Sequence, residues 1–291
     1  MTTRRSFLAQ TSFAAAALWL QPDLLFAKPA YKVGLQLYSL RDEIGKDIKG
    51  VIAKAAKAGY QELETFGYDK EKGFFGLSPK EFKQTLADNG MVTPSGHYGI
   101  DPFLNGGSSD DLKTYIEVAK TAGQSYLTVP YLGADMRKSV DDFKKLASNM
   151  NKAAELCKQS GLKLAYHNHD FEFKPIDGTM LYDVLLKETD PKLVSFEMDI
   201  YWVVRAGQDP EKLIKAYPGR FPMWHIKDMD KTKPELNTEI GSGSIDFKKI
   251  FALAQVSGLK HIFMEQENFT NIDPYQSIAQ SSTYIKNELL K

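Results

Sequence analysis

Residues 141–169 read DDFKKLASNMNKAAELCKQSGLKLAYHNH. The segment holds an amphipathic helical pattern over Asp141–Ser160, a glycine at 161, and a short apolar run, Leu162–His167, of strand length. Glycine just past a helix accepts the left-handed conformation that closes its C-terminus, and here the strand begins at once. The same closure returns at Ala58-Gly59-Tyr60, Asn89-Gly90-Met91, Ala122-Gly123-Gln124 and Ser257-Gly258-Leu259.

Outward from this unit the chain alternates the two patterns. Strands are predicted at Val33–Tyr38, Gln61–Thr65, Val92–His97, Tyr126–Val129, Leu162–His167, Val194–Asp199, Pro222–Lys227 and His261–Glu265. Helices are predicted at Ile48–Ala58, Pro79–Asn89, Ser108–Thr121, Asp141–Ser160, Leu181–Lys187, Pro210–Tyr217, Asp246–Val256 and Pro274–Leu290. Ser78, Pro79 and Glu81 form the start signal of the second helix. Eight such units in about 260 residues predict the α/β class and a (β/α)8 TIM barrel over residues 31–291. An open doubly wound sheet would want a glycine-rich phosphate loop after an early strand, and neither G-x-G-x-x-G nor G-x-x-x-x-G-K-[ST] occurs.

Composition agrees with one folded unit. Of 291 residues 43% are apolar and 25% charged, which excludes disordered, collagen-like and coiled-coil classes. Lys plus Arg equals Asp plus Glu at 37 each, and a nucleic-acid binder normally carries a basic excess. The one cysteine, Cys157, excludes an internal disulfide and a cysteine zinc site, and it reads as a small buried side chain.

Residues 1–27 read as an address. Arg4-Arg5 precede Phe7-Leu8 and an apolar, alanine-rich stretch, Thr11–Leu20, with Ala27 near a cleavage point, and the pattern resembles a twin-arginine export signal. The apolar run is shorter than the ~20 residues of a membrane span and is interrupted by Pro22 and Asp23. The expected location is therefore the periplasm, with no membrane span elsewhere. Because that route carries folded proteins, a metal could be loaded before export.

Active sites of such barrels lie at the C-terminal strand ends, and alternate strand residues share a face. Ionisable residues collect there: Glu62 and Glu64, His97, His167 with His169 beyond it, Glu197 and Asp199, His225 and Lys227, Glu265 and Glu267. A single histidine in such a place is ordinarily a core residue. Six strands with His, Asp or Glu at their ends are costly to bury without a compensating partner, and a divalent cation is the simplest one.

The segments LAYHNHDFEF (164–173), SFEMDIYWVVRAG (195–207), WHIKD (224–228), IGSGSIDF (240–247) and IFMEQE (262–267) together resemble the xylose-isomerase-like TIM-barrel superfamily. That group includes sugar isomerases and epimerases, inosose dehydratases, dehydroshikimate dehydratases and abasic-site endonucleases. The resemblance implies one divalent metal ion (Mn, Co, Mg or Zn) held by Asp199, His225 and Glu265, with His167 where the relatives usually carry Glu and His169 as fallback ligand or acid/base. It further implies Glu265 and Glu172 flanking the substrate as catalytic residues. By position, Lys227 would stabilise an oxyanion or else pair with Glu197 or Glu267, Glu64 and His97 would line the opposite wall and bind substrate hydroxyls, and Trp202 would stack on a sugar face. The nuclease branch is disfavoured by Trp202, which stands where that branch has a second histidine, and by the neutral charge.

The expected function is metal-dependent isomerisation or epimerisation of a free or keto sugar by proton abstraction beside a metal-bound carbonyl. A keto-sugar or keto-glycoside lyase, an inosose-type dehydratase, is the first alternative. A non-catalytic sugar-binding barrel is another, and an abasic-site endonuclease the least favoured. The expected partner is a small sugar, without nucleic acid; oligomerisation is left open. Export argues against a phosphorylated substrate and no run of lysine and arginine marks a phosphate pocket, although a few backbone amides of the Gly241–Gly243 loop could still bind one. Replacing Arg4 and Arg5 by lysine should leave full-length protein in the cytoplasm on fractionation. Native protein found there with Met1 intact would sink the export reading.

Overall fold

The computed structural model describes residues 31–291, so the expected signal over residues 1–27 lies outside the described residues. Eight strands form the barrel: β1 (Val33–Gln36), β2 (Glu62–Thr65), β3 (Val92–His97), β4 (Tyr126–Val129), β5 (Lys163–His167), β6 (Val194–Asp199), β7 (Met223–Ile226) and β8 (His261–Met264), and Asp228–Met229 pairs separately with Asn237–Thr238. Each pairs in parallel with its sequence neighbours, and β8 pairs back onto β1, which closes the predicted (β/α)8 barrel. Among the described residues no helix is long and apolar enough to cross a membrane.

The local signals act as read. Ser78 caps helix Pro79–Asp88 reciprocally with Glu81, and Ser139 does the same with Asp142 for helix Val140–Gln159. Glycines 59, 90, 123, 161 and 258 all have positive φ, between 68 and 94°. Cys157 is fully buried, and burial pushes its thiol up to about 12. Differences fall at element ends. β1 stops at Gln36 because the Gln36 side chain accepts from Tyr38 N and starts the 3-10 turn Leu37–Leu40. The predicted helix Asp246–Val256 is two short ones, Phe247–Phe251 and Ala254–Ser257. The last helix widens after Tyr284 into a π-turn, Ile285–Leu289. A helix not expected, Ile200–Arg205, follows β6 directly.

Inside the barrel the two-residue period of the strands stacks side chains in layers. Tyr126, Ala165, Met223 and Phe263 form an apolar floor. Two residues further along their strands come His167, His225 and Glu265. The floor requires glycine at position 34: a Cβ there would lie 2.5 Å from the Ile262 carbonyl oxygen and 2.6 Å from Phe263 Cδ1. Gly34→Ala should therefore destabilise the fold by about 1–3 kcal/mol through overpacking. Gly45→Ala, with open space and an ordinary φ of −69°, should change stability by less than about 0.5 kcal/mol. Urea denaturation midpoints check both.

Candidate metal and active site

His167, Asp199, His225 and Glu265 end β5, β6, β7 and β8 with the same parity, and one donor atom of each lies within 4.8 Å of every other. The remaining polar atoms of Asp199, His167 and His225 are already committed. Asp199 caps the helix after β6 by accepting from Trp202 N with Oδ1 at 3.0 Å, which leaves Oδ2 for the cluster. His167 Nδ1 lies 3.2 Å from the Pro130 carbonyl oxygen, which can only accept, so Nδ1 carries the proton. Burial holds the His167 pKa down at about 4 against the pull of Asp199. The neutral ring then turns its Nε2 lone pair on Asp199 Oδ2 at 3.3 Å, an acceptor facing an acceptor. His225 Nε2 donates to Glu64 Oε2 at 2.6 Å, and its Nδ1 meets Glu265 Oε2 at 2.8 Å and Asp199 Oδ2 at 4.0 Å.

Two imidazole nitrogens and two carboxylate oxygens, one pair of them set lone pair to lone pair, fit a divalent cation of the N/O-binding kind. The charge balance fits as well. Lys227, 1% exposed, lies 3.2 Å from Asp199, 3.1 Å from Glu265 and 2.7 Å from Glu267. Three carboxylates around one ammonium leave a formal charge of −2. Burial would neutralise both Asp199 and Glu265, but Lys227 outweighs it; Asp199 is held down at about 2 and Glu265 well below the carboxylate range. The Lys227 pairing with Glu267 is as expected from the sequence, whereas its second alternative, Glu197, is replaced by Asp199 and Glu265.

Two sequence expectations are corrected here. Glu64 does not bind substrate from the wall: it is fully buried beneath His225 and takes hydrogen bonds from Gln36 Nε2 (2.7 Å), Ser95 Oγ (2.5 Å) and His225 Nε2. It is a carboxylate behind a histidine, the arrangement that fixes ring orientation in metal sites. Glu172 does not face the cavity either. It is fully buried, with Tyr166 OH (2.5 Å) and His169 N (3.0 and 3.1 Å) donating to it, so it braces the loop after β5. Burial pushes its pKa up to about 7 in spite of these donors.

His97 is shared between levels. Its ring lines the cavity, but Nε2 lies 2.9 Å from Glu197 and 3.3 Å from Glu64, and the two carboxylates outweigh burial to hold its pKa up at about 9. Glu64, His97, Glu197 and His225 form a second group of converging donors below the first. Glu197 was legible as a strand-end carboxylate, two residues before Asp199, yet its service to His97 and His225 depends on barrel register.

Above the cluster opens a cavity of about 390 Å³, within the usual range for small-molecule sites. His167, His169, Trp202, Lys227, Glu265 and Glu267 line its deeper part. His169 Nδ1 and Trp202 Nε1 are buried without a hydrogen-bond partner, and Glu265 Oε1 makes no hydrogen bond among the described residues. Burial, with His167 and Lys227 adding to it, holds the His169 pKa well below the usual imidazole range, so the ring is neutral. The phosphate cradle expected at Gly241–Gly243 is filled from within. The buried Asp228 carboxylate accepts from Gly241 N (2.8 Å), Gly243 N (3.0 Å), Ile245 N (3.2 Å) and Met229 N (2.9 Å). A Cβ on Gly243 would meet that carboxylate at 2.2 Å, so the loop is shaped around it.

Known proteins share this architecture. The inosose dehydratase of Clostridium perfringens is 28% identical over 181 residues, 56% of this chain and 60% of that protein, so less than two thirds of that relative is spanned. The inosose dehydratase of Geobacillus kaustophilus is 26% identical over 270 residues, 81% of this chain and 83% of that protein. A crystal structure of a sugar phosphate isomerase/epimerase from Parabacteroides distasonis superimposes with a TM-score of 0.76 at 30% identity, covering 91% of this chain and 97% of that one. The family model of xylose isomerase-like TIM barrels matches residues 52–287. The resemblance carried by the strand-end segments thus holds across the barrel, and the chain belongs to the xylose isomerase-like TIM barrel family.

Proposed function

We propose that this protein is a divalent-metal-dependent lyase that eliminates water, or another β-substituent, from an uncharged keto-polyol or keto-sugar. The observation that carries the reading is the lone-pair confrontation of His167 Nε2 and Asp199 Oδ2 at the floor of a cavity lined by unpartnered polar atoms. The likeness to inosose dehydratases supports elimination over the isomerase or epimerase outcome favoured by sequence alone, since all three begin with the same proton abstraction.

His167, Asp199, His225 and Glu265 would hold the cation, which when bound supplies Lewis-acid polarisation of a substrate carbonyl. With Oε2 turned to the cluster beside Lys227, Glu265 has Oε1 to take the proton from the carbon beside the carbonyl. Lys227 stabilises the negative charge that develops on the carbonyl oxygen. As the carbon–carbon double bond forms, the β C–O bond breaks. His169 Nδ1 and Trp202 Nε1 are placed to hydrogen-bond the departing hydroxyl, which leaves as water with the proton returned from the site. An uncharged substrate follows from Asp228, which occupies the loop amides, and from Lys227, whose charge is enclosed by three carboxylates.

Protein purified without chelator should carry about one equivalent of divalent metal by elemental analysis. Asp199→Ala should lose it, and metal-free wild type that still turns over substrate refutes the assignment. In deuterated water with keto-sugars and keto-cyclitols, wild type should exchange the carbon-bound proton and release a dehydrated product. Glu265→Gln with its metal retained should lower the exchange by ~10²–10⁴-fold, the usual worth of a general base. Normal exchange in that variant would transfer the base role to His169.

A further inference from the structure

We propose that the cavity is built for a glycoside: the reacting ring lies over the polar floor, and a second ring, sugar or aryl, is held between Tyr38 and Tyr131 at the mouth. The assignment of the inner ring rests on the function proposed above; the outer subsite stands on separate observations.

Among the described residues four large hydrophobic side chains are exposed, and two of them, Tyr38 (39%) and Tyr131 (45%), line this one cavity. They follow β1 and β4, so they approach the mouth from different sectors of the barrel. Exposure alone is ordinary for a tyrosine. What separates these two is that each is fixed in place. Arg41 lies over the Tyr38 ring at 4.7 Å and is itself tied to the Glu267 carbonyl oxygen at 2.8 Å. Phe66 packs edge-on against the same ring at 5.1 Å. On the other side, Arg137 donates to Tyr131 OH at 2.8 Å and stacks on Phe171 at 3.5 Å, while the Tyr131 ring meets His169 edge-on at 5.2 Å.

A rim tyrosine without a ligand gains nothing from losing its rotamer freedom. Two that are immobilised beforehand remove that cost from binding. Their open faces offer a flat, apolar surface on which the C–H face of a sugar or an aryl ring recovers the hydration lost. The guanidinium groups hold the ring faces and bond within the wall, with Arg137 Nε left without a partner, so the tyrosine rings recognise the outer ring by stacking. A free monosaccharide or cyclitol would occupy the floor and leave both tyrosines in water.

The test uses unreactive probes, so it is independent of whether elimination occurs. Calorimetry on the purified full chain would compare methyl β-glucoside, phenyl β-glucoside and cellobiose. At least one two-ring probe should bind tenfold or more tightly than methyl β-glucoside, phenyl β-glucoside alone marking an aryl subsite and cellobiose alone a sugar subsite. Tyr38→Ala and Tyr131→Ala should each remove most of that advantage, whereas Tyr131→Phe, which keeps the ring but loses the Arg137 bond, should retain part of it. Equal affinities, absence of binding, or an advantage that survives both alanine variants with unchanged thermal midpoints overturns the proposal. A positive result with no proton exchange on any keto-sugar would leave the subsite standing and refute the lyase instead.

Discussion

The His225 imidazole, held between Glu64 on one nitrogen and Glu265 on the other, is the contact on which the interior depends. A parallel barrel has no solvent along its axis, and this one places Glu64, Glu197, Asp199 and Glu265 there, none more than 6% exposed. Such a set survives only if each carboxylate finds a cationic or protic partner. His225 supplies one to the layer below and one to the layer above, while His97 and Lys227 serve the flanks. The apolar floor of Met223 and Phe263 then seals the stack from the opposite mouth. Loss of the imidazole would take one partner from a carboxylate on each level, leaving Glu64 to Gln36, Ser95 and His97 and Glu265 to Lys227, which ties the folding energy of the barrel to the same ring that orients the cluster.

Much of this was legible in the sequence, for a physical reason. Strand parity is a strict two-residue period, so once β6 and β8 were placed, the inward direction of Asp199 and Glu265 followed from counting. Helix ends were equally readable, because Ser78, Ser139 and the positive-φ glycines act through bonds within a few residues. What could not be read depends on register and loops. Glu64 and His97 looked alike as wall residues. The barrel stagger sets Glu64 a layer lower, directly beneath His225, and leaves His97 at the cavity edge. Glu172 was misplaced because the turn Phe171–Phe173 rolls the side chain back onto Tyr166, behind its own strand. No spacing rule encodes that reversal. The helix Ile200–Arg205 escaped because its N-cap, Asp199, had already been spoken for as a ligand, and the structure uses one oxygen for each purpose.

The cluster combines two histidines with two carboxylates, and a third carboxylate, Glu267, joins it from the side of the mouth through Lys227. His169 reaches the cavity from the loop after β5, which Glu172 braces, and Trp202 reaches it from the helix after β6. A buried brace thereby positions His169 without touching the cavity.

The Asp228 carboxylate has a consequence for selectivity. Backbone amides converging at a loop form a site for any oxyanion, and evolution can discourage such guests by closing the space or by lining it with repulsive charge. Here the site carries its own occupant, attached covalently and held by four amide hydrogens. A diffusing phosphate at millimolar concentration would compete with a tethered rival whose effective concentration is orders of magnitude higher. The side chain that gathers the loop around itself thus also fills the space an anion would take.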